Sequence, residues 1–130
     1  MKGIFLILVL ASLAGHGWTQ EANSHQYSSA PETSRFQIVQ SKHGARLTFN
    51  IDKYTGNVFL LVKGESGVTW QLIDSEEQLY DETIPNQVNY QLFTSGLGIR
   101  YTFLINVNTG ITWELVEDKK LDVFWWKVLE

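Results

Sequence analysis

The 130-residue chain contains no cysteine. Disulfides, thiolate metal sites and cysteine nucleophiles are therefore excluded, and the fold must be held by packing alone. Histidine is scarce too. His16 falls in the apolar start, His25 in a polar stretch and His43 in a turn, so no histidine cluster forms on a rigid framework. A Ser-His-Asp arrangement would have to form around His43, and no G-x-S-x-G elbow accompanies it. The glycine-rich "SGLG" at Ser95–Gly98 leads into neither a helix nor a Lys-Ser/Thr pair, so it is no phosphate loop. The ten Lys and Arg residues are scattered and the net charge is −4. Without a basic stripe, neither nucleic acid nor an anionic membrane surface is an expected partner. Long hydrophobic runs are limited to one, the twelve residues Gly3–Ala14. That falls short of the roughly 20 needed to cross a membrane as a helix.

What is present begins with that run. Lys2, the apolar segment and the small residues after it read as a secretory signal peptide over 1–22, with cleavage after Ala14, Gly17 or Ala22. The chain is expected to be exported, to a periplasmic or extracellular space. Residues 23–34, containing "NSHQYSSAPETS", read as a flexible tether. Residues 35–130 then form a single domain.

That domain says nearly the same thing twice. Arg35–Val62 aligns without gaps on Asn89–Val116, and 11 of the 28 positions are identical, among them Arg46/Arg100, Phe49/Phe103, Ile51/Ile105, Gly56/Gly110 and Leu61/Leu115. The domain reads as two repeats, 35–74 and 89–130, joined by a connector over 75–88. Each repeat parses into four strands: 36–40, 46–52, 58–63 and 68–73, then 90–94, 100–106, 111–117 and 122–129. These runs are rich in β-branched and aromatic residues and are separated by glycine-containing turns. The expected fold is all-β, two tandem four-stranded antiparallel meanders forming an eight-stranded barrel or sandwich. An outer-membrane barrel is excluded because Arg46, Thr48, Asn50 and Asp52 are too polar for a lipid-facing strand.

A three-residue turn, Tyr54-Thr55-Gly56, would place Phe49 and Ile51 on one face with Phe59 and Leu61. Asn108-Thr109-Gly110 would do the same for Phe103, Ile105, Trp113 and Leu115. Gly56 and Gly110 supply the left-handed residue, and Asp52 and Asn106 accept hydrogen bonds from turn amides. The expected core is Phe36, Ile38, Phe49, Ile51, Phe59, Leu61, Trp70, Leu72, Tyr90, Leu92, Phe103, Ile105, Trp113, Leu115 and Val128.

The stretches "NIDKYTGNVF" and "LINVNTGITW" resemble the D-x-x-T-G-x-x-W hairpin of many small exported bacterial proteins. The same signature is similar to the blade motif of pyrroloquinoline-quinone enzymes, which are β-propellers. The resemblance implies export and repeated hairpins. Two units do not close a propeller, so no quinone site is inferred and no cofactor is expected.

Carboxylates are plentiful but unselected. Glu76, Glu77, Asp81 and Glu82 form an acidic connector whose spacing is unlike a calcium loop. Glu114, Glu117, Asp118 and Asp122 surround a hairpin without singling out a catalytic pair. No catalytic residue and no metal ligand is expected. The aromatics carry more. "FWWKV" sends Phe124, Trp126 and Val128 to one face and Trp125 to the other, beside Val39, Leu60 or Phe93. Trp125, Phe93 and Leu60 are the candidate binding residues. The sequence points to a non-enzymatic module that binds a protein, including a second copy of itself. The alternative is a small-ligand or carbohydrate-binding barrel.

Overall fold

The computed structural model describes residues 26–28, 30–41, 44–75, 82–95 and 99–130. The expected signal peptide, His25, His43 and the connector residues 76–81, with Glu76, Glu77 and Asp81, lie outside them. Among the described residues every regular element is a strand. The limits of the eight expected strands agree with those read from the sequence to within two residues at each end.

The first sheet has the order β1-β2-β3-β4-β5. Its strands are β1 (Gln26–Ser28), β2 (Phe36–Ser41), β3 (Gly44–Asp52), β4 (Val58–Gly64) and β5 (Gly67–Leu72). The second has the order β6-β10-β9-β8-β7. It comprises β6 (Asp74–Ser75), β7 (Tyr90–Thr94), β8 (Thr102–Asn106), β9 (Thr112–Asp118) and β10 (Val123–Val128). All pairings are antiparallel except that of β6 with β10. The described strands form two separate sheets and no closed barrel. Two short pieces add to the expected meanders. Part of the expected tether, 26–28, is a strand, because the open edge of β2 offers unpaired backbone groups that an extended segment satisfies. The chain leaving β5 is captured at once by the edge of the other sheet, as β6.

The central hairpins correct the expected register. Ile51 pairs with Val58, Asn50 with Phe59 and Phe49 with Leu60. The loop is therefore four residues long, Lys53 to Gly56, closed by the Asp52 amide on the Asn57 carbonyl (2.9 Å) and the Gly56 amide on the Asp52 carbonyl (2.8 Å). The second hairpin has the same form: the Asn106 amide bonds the Ile111 carbonyl (2.9 Å) and the Gly110 amide the Asn106 carbonyl (2.8 Å). Ile105 pairs with Thr112 and Leu104 with Trp113. Ile51 and Phe59 thus point to opposite sides, as do Ile105 and Trp113. Both glycines have φ +80°, as expected. Asp52 accepts from the Tyr54 amide (3.0 Å) and Asn106 from the Asn108 amide (2.9 Å), also as expected.

The two hairpins share a register but bury different faces. One hydrophobic cluster joins the sheets. The first sheet contributes Val39, Phe49, Ile51, Val58 and Leu60; the second contributes Tyr90, Leu92, Leu104, Trp113, Leu115 and Trp126. Phe49 and Ile51 are core, whereas their sequence counterparts Phe103 and Ile105 are half-buried on the far side. Conversely Trp113 and Leu115 are core, and their counterparts Phe59 and Leu61 are half-buried on the outer side. The front of one sheet packs on what corresponds to the back of the other. Of the expected core, Phe36, Ile38, Trp70 and Leu72 are exposed. The reason lies in β4, whose Val58, Phe59, Leu60 and Leu61 are apolar on both faces, so alternation alone cannot select which face is buried.

The sheets are also joined by backbone. The Lys53 carbonyl accepts from the Asn89 amide (2.8 Å) and the Tyr90 amide (2.9 Å). Buried Asn89 donates to the carbonyls of Tyr54 (3.0 Å) and Ile84 (2.9 Å), and its Oδ1 accepts from Asn108 (2.7 Å). It ties both turns to the segment entering β7.

Candidate functional site

The outer face of the first sheet is built by direct cross-strand neighbours, whose side chains share a face. Register places Ile38, Asn50, Phe59 and Leu72 in one row. Leu61 and Trp70 form part of the next. With Phe36 at one end, 56% exposed, and Trp70, 38% exposed, this is a broad apolar surface open to solvent. Single exposed apolar residues are ordinary, but a contiguous sheet face of them marks a contact surface.

The outer face of the second sheet is built the same way. Phe93, Phe103, Glu114 and Lys127 form one row, and Val116 and Trp125 form part of the next. The rings of Phe93 and Phe103 stack with centroids 6.3 Å apart. Phe93 is 55% exposed. Glu114 and Lys127 stand directly opposite one another, which offsets their charges on this face.

The expected binding residues therefore separate. Phe93 lies on the outer face as expected. Trp125 lies on it too, half-buried at the β6 edge, with its indole nitrogen enclosed. Leu60 does not join them: it is 6% exposed and belongs to the core, as does Val39. The one-residue change of register turns Leu60 inward. What the sequence reading missed is the other face, with Phe36, Ile38, Trp70 and Leu72. A signal for it was present. Asn50 corresponds to Leu104, and Leu60 to Glu114. Each pair exchanges a polar for an apolar residue, as positions do when they face solvent in one copy and core in the other.

At the end of this face, Arg35 grips Asp52 with two nitrogens: Nη2 to Oδ2 at 2.7 Å and Nε to Oδ1 at 3.1 Å. Its guanidinium lies over the rings of Phe36 (4.8 Å) and Tyr54 (5.2 Å). Burial pushes the Asp52 carboxyl up, but the Arg35 guanidinium and the Tyr54 amide outweigh it and hold it below 3.8. A carboxylate with a depressed folded-state pKa stabilises the fold fully above its unfolded value. That stabilisation is lost as pH falls through the folded value. Asp52→Asn keeps the acceptor for the turn, as Asn106 does, but loses the ion pair. It is expected to lower the thermal midpoint at neutral pH and to flatten the acid limb of a midpoint-against-pH curve. An unchanged acid limb would show that Asp52 does not carry this dependence.

Lys53 is fully buried. Burial pushes its amine below the ordinary lysine value, against Glu32, which raises it. Its ammonium donates to the Glu32 carbonyl and its amide to the Arg35 carbonyl (2.8 Å). The lysine pins the segment before β2 to the hairpin.

Two clefts lie beside these elements. One of about 250 Å³ is lined by Leu60, Val62, Gln71, Ile73, Val123 and Phe124, among others. It is below the ~300–1,000 Å³ usual for small-ligand sites. The other, about 120 Å³, is lined by Glu32, Gln37, Lys53, Gln91 and Leu92. Among the described residues no group of three or more His, Asp or Glu could hold a metal ion, and no helix is long and apolar enough to cross a membrane. Glu114 and Glu117 alternate along β9 and so face opposite sides of the sheet, while Asp118 accepts from the amides of Lys120 (2.8 Å) and Leu121 (3.3 Å) in its own turn. Compared with protein-family models, with curated proteins and with solved structures, the chain matches none.

Proposed function

We propose that the chain is an exported, non-enzymatic interaction module, two stacked copies of one four-stranded unit that bind protein through their outer faces. The observation that carries this reading is the exposed apolar face of the first sheet, with Phe36, Ile38, Trp70 and Leu72 open to solvent. Such a face is costly to leave wet, and aromatic residues in this setting serve as anchors at protein interfaces. The alternative, a small-ligand or carbohydrate binder, would use the cleft beside Phe124 or the Trp70 ring as a stacking platform.

Site-specific photo-crosslinking separates the two. A photoreactive phenylalanine analogue replaces Trp70 or Phe93 in the full chain, in cells that produce it, with exposed Lys119 as the control position. Discrete protein adducts are expected from Trp70 and Phe93. Adducts no more abundant than at Lys119 overturn the interaction reading. Tryptophan fluorescence that shifts on adding glycans, with no protein adduct, favours the alternative.

A further inference from the structure

We propose that copies of this chain stack head to tail, the outer face of the second sheet of one copy seating on the outer face of the first sheet of the next. The inference rests on the interaction reading and names its partner. It starts from the interface already present inside the chain. The first sheet's half of that interface is Val39, Phe49, Ile51, Val58 and Leu60, with Val62 packed against them. The 54-residue offset carries these onto Phe93, Phe103, Ile105, Thr112, Glu114 and Val116, which line the second sheet's outer face.

The other half of the internal interface is Tyr90, Leu92, Leu104, Trp113, Leu115 and Trp126. Their counterparts by strand register are Phe36, Ile38, Asn50, Phe59, Leu61 and Trp70, which line the first sheet's outer face. The match of Trp70 with Trp126 needs the structure. Leu61 pairs with Trp70 as Leu115 pairs with Trp126, while the longer turn before β10 hides the correspondence from a gapless alignment. Each free face is thus the counterpart of one half of a junction that already forms, and the two halves are complementary. Pairing of like faces has no such template in the molecule.

The details extend to the turns. The ring of buried Tyr90 lies on Gly56, 3.1 Å from where a Cβ would stand. By the same offset, Phe36 of the next copy would lie on Gly110, where no described atom comes within 4 Å of that position. The Lys53 carbonyl, which takes the Asn89 and Tyr90 amides, corresponds to the Val107 carbonyl, which would take the Arg35 and Phe36 amides of the neighbour. Three polar exchanges, Glu114 for Leu60 and Thr112 for Val58 on one mating face and Asn50 for Leu104 on the other, make this junction more polar than the internal one. A head-to-tail contact uses different faces on the two copies, so it closes into a ring or grows into a filament.

Complementation between two variants tests this. Phe36→Lys blocks the first face and Phe93→Lys the second; Trp70→Lys and Ile105→Lys serve as replacements if either of the first pair has lost its β-sheet circular dichroism. Masses of the full chain are read by light scattering. The unaltered chain is expected at a multiple of the monomer mass and each variant at the monomer mass. The equimolar mixture is expected at twice the monomer mass, since one good face of each kind remains. A monomeric unaltered chain at its highest soluble concentration overturns the inference, as does a mixture that stays monomeric. A Phe93→Lys variant that dimerises alone shows like-face pairing and overturns it too. If the chain is monomeric yet Trp70 or Phe93 crosslinks to a different protein, self-stacking fails and the interaction reading stands. A monomer without adducts removes both.

Discussion

Replacing Trp126 with alanine is expected to destabilise the protein by about 3–5 kcal/mol, as for other large aromatic truncations in a core. Trp126 is 1% exposed and belongs to the cluster that joins the sheets. For a domain of this size each kcal/mol lowers the thermal midpoint by about 4–8 °C, so the loss is a fall of at least about 12 °C. Trp70 holds the same register position in the first sheet but faces outward. Trp70→Ala is expected to cost about 1 kcal/mol or less, no more than a typical point substitution, when measured dilute enough that self-association does not contribute. Equal losses at the two tryptophans would mean that both sheets bury corresponding faces, and the stacking described above would be wrong.

The second comparison concerns the turn glycines. Gly56→Ala forces a left-handed alanine, which costs about 1–2 kcal/mol. Its Cβ also lands 3.1 Å from three carbons of the Tyr90 ring. That ring is fully buried and backed by Trp113, with centroids 6.1 Å apart, so it has little room to retreat. Overpacking adds about 1–3 kcal/mol, for a total of about 2–5. Gly110 has the same φ of +80°, but the space around its Cβ position is open among the described residues. Gly110→Ala in the dilute chain is expected to show the backbone cost alone. Urea denaturation of both variants measures the difference, and indistinguishable midpoints would refute the close contact of Gly56 with Tyr90.

Taken together, these pairs show what kind of information was local. The turns were legible because their chemistry is contained in a few neighbouring residues. Asp52 and Asn106 accept amides two residues on, and Gly56 and Gly110 adopt a conformation other residues resist. The exact loop length was not legible. Both the three-residue and the four-residue loop keep those contacts, and only the side to which Phe59 points separates them.

Phe93 lies on the outer face because burial alternates along β7, with Tyr90, Leu92 and Thr94 inside and Gln91 and Phe93 exposed. Leu60 was misassigned because β4 does not alternate. The exposed face of Phe36, Ile38, Trp70 and Leu72 was missed for a related reason. Matching residues in the two copies do not have matching environments, because stacking front to back gives them opposite ones.

The amino-acid sequence alone determined that this is an all-β chain, where its eight main strands run, where they turn, and that one half echoes the other. Those properties follow from conformational preferences acting over a few residues. Tertiary structure decided which side of each strand is dry. A strand with apolar groups on both sides buries whichever one the other sheet covers, and where that sheet arrives depends on residues some fifty positions away.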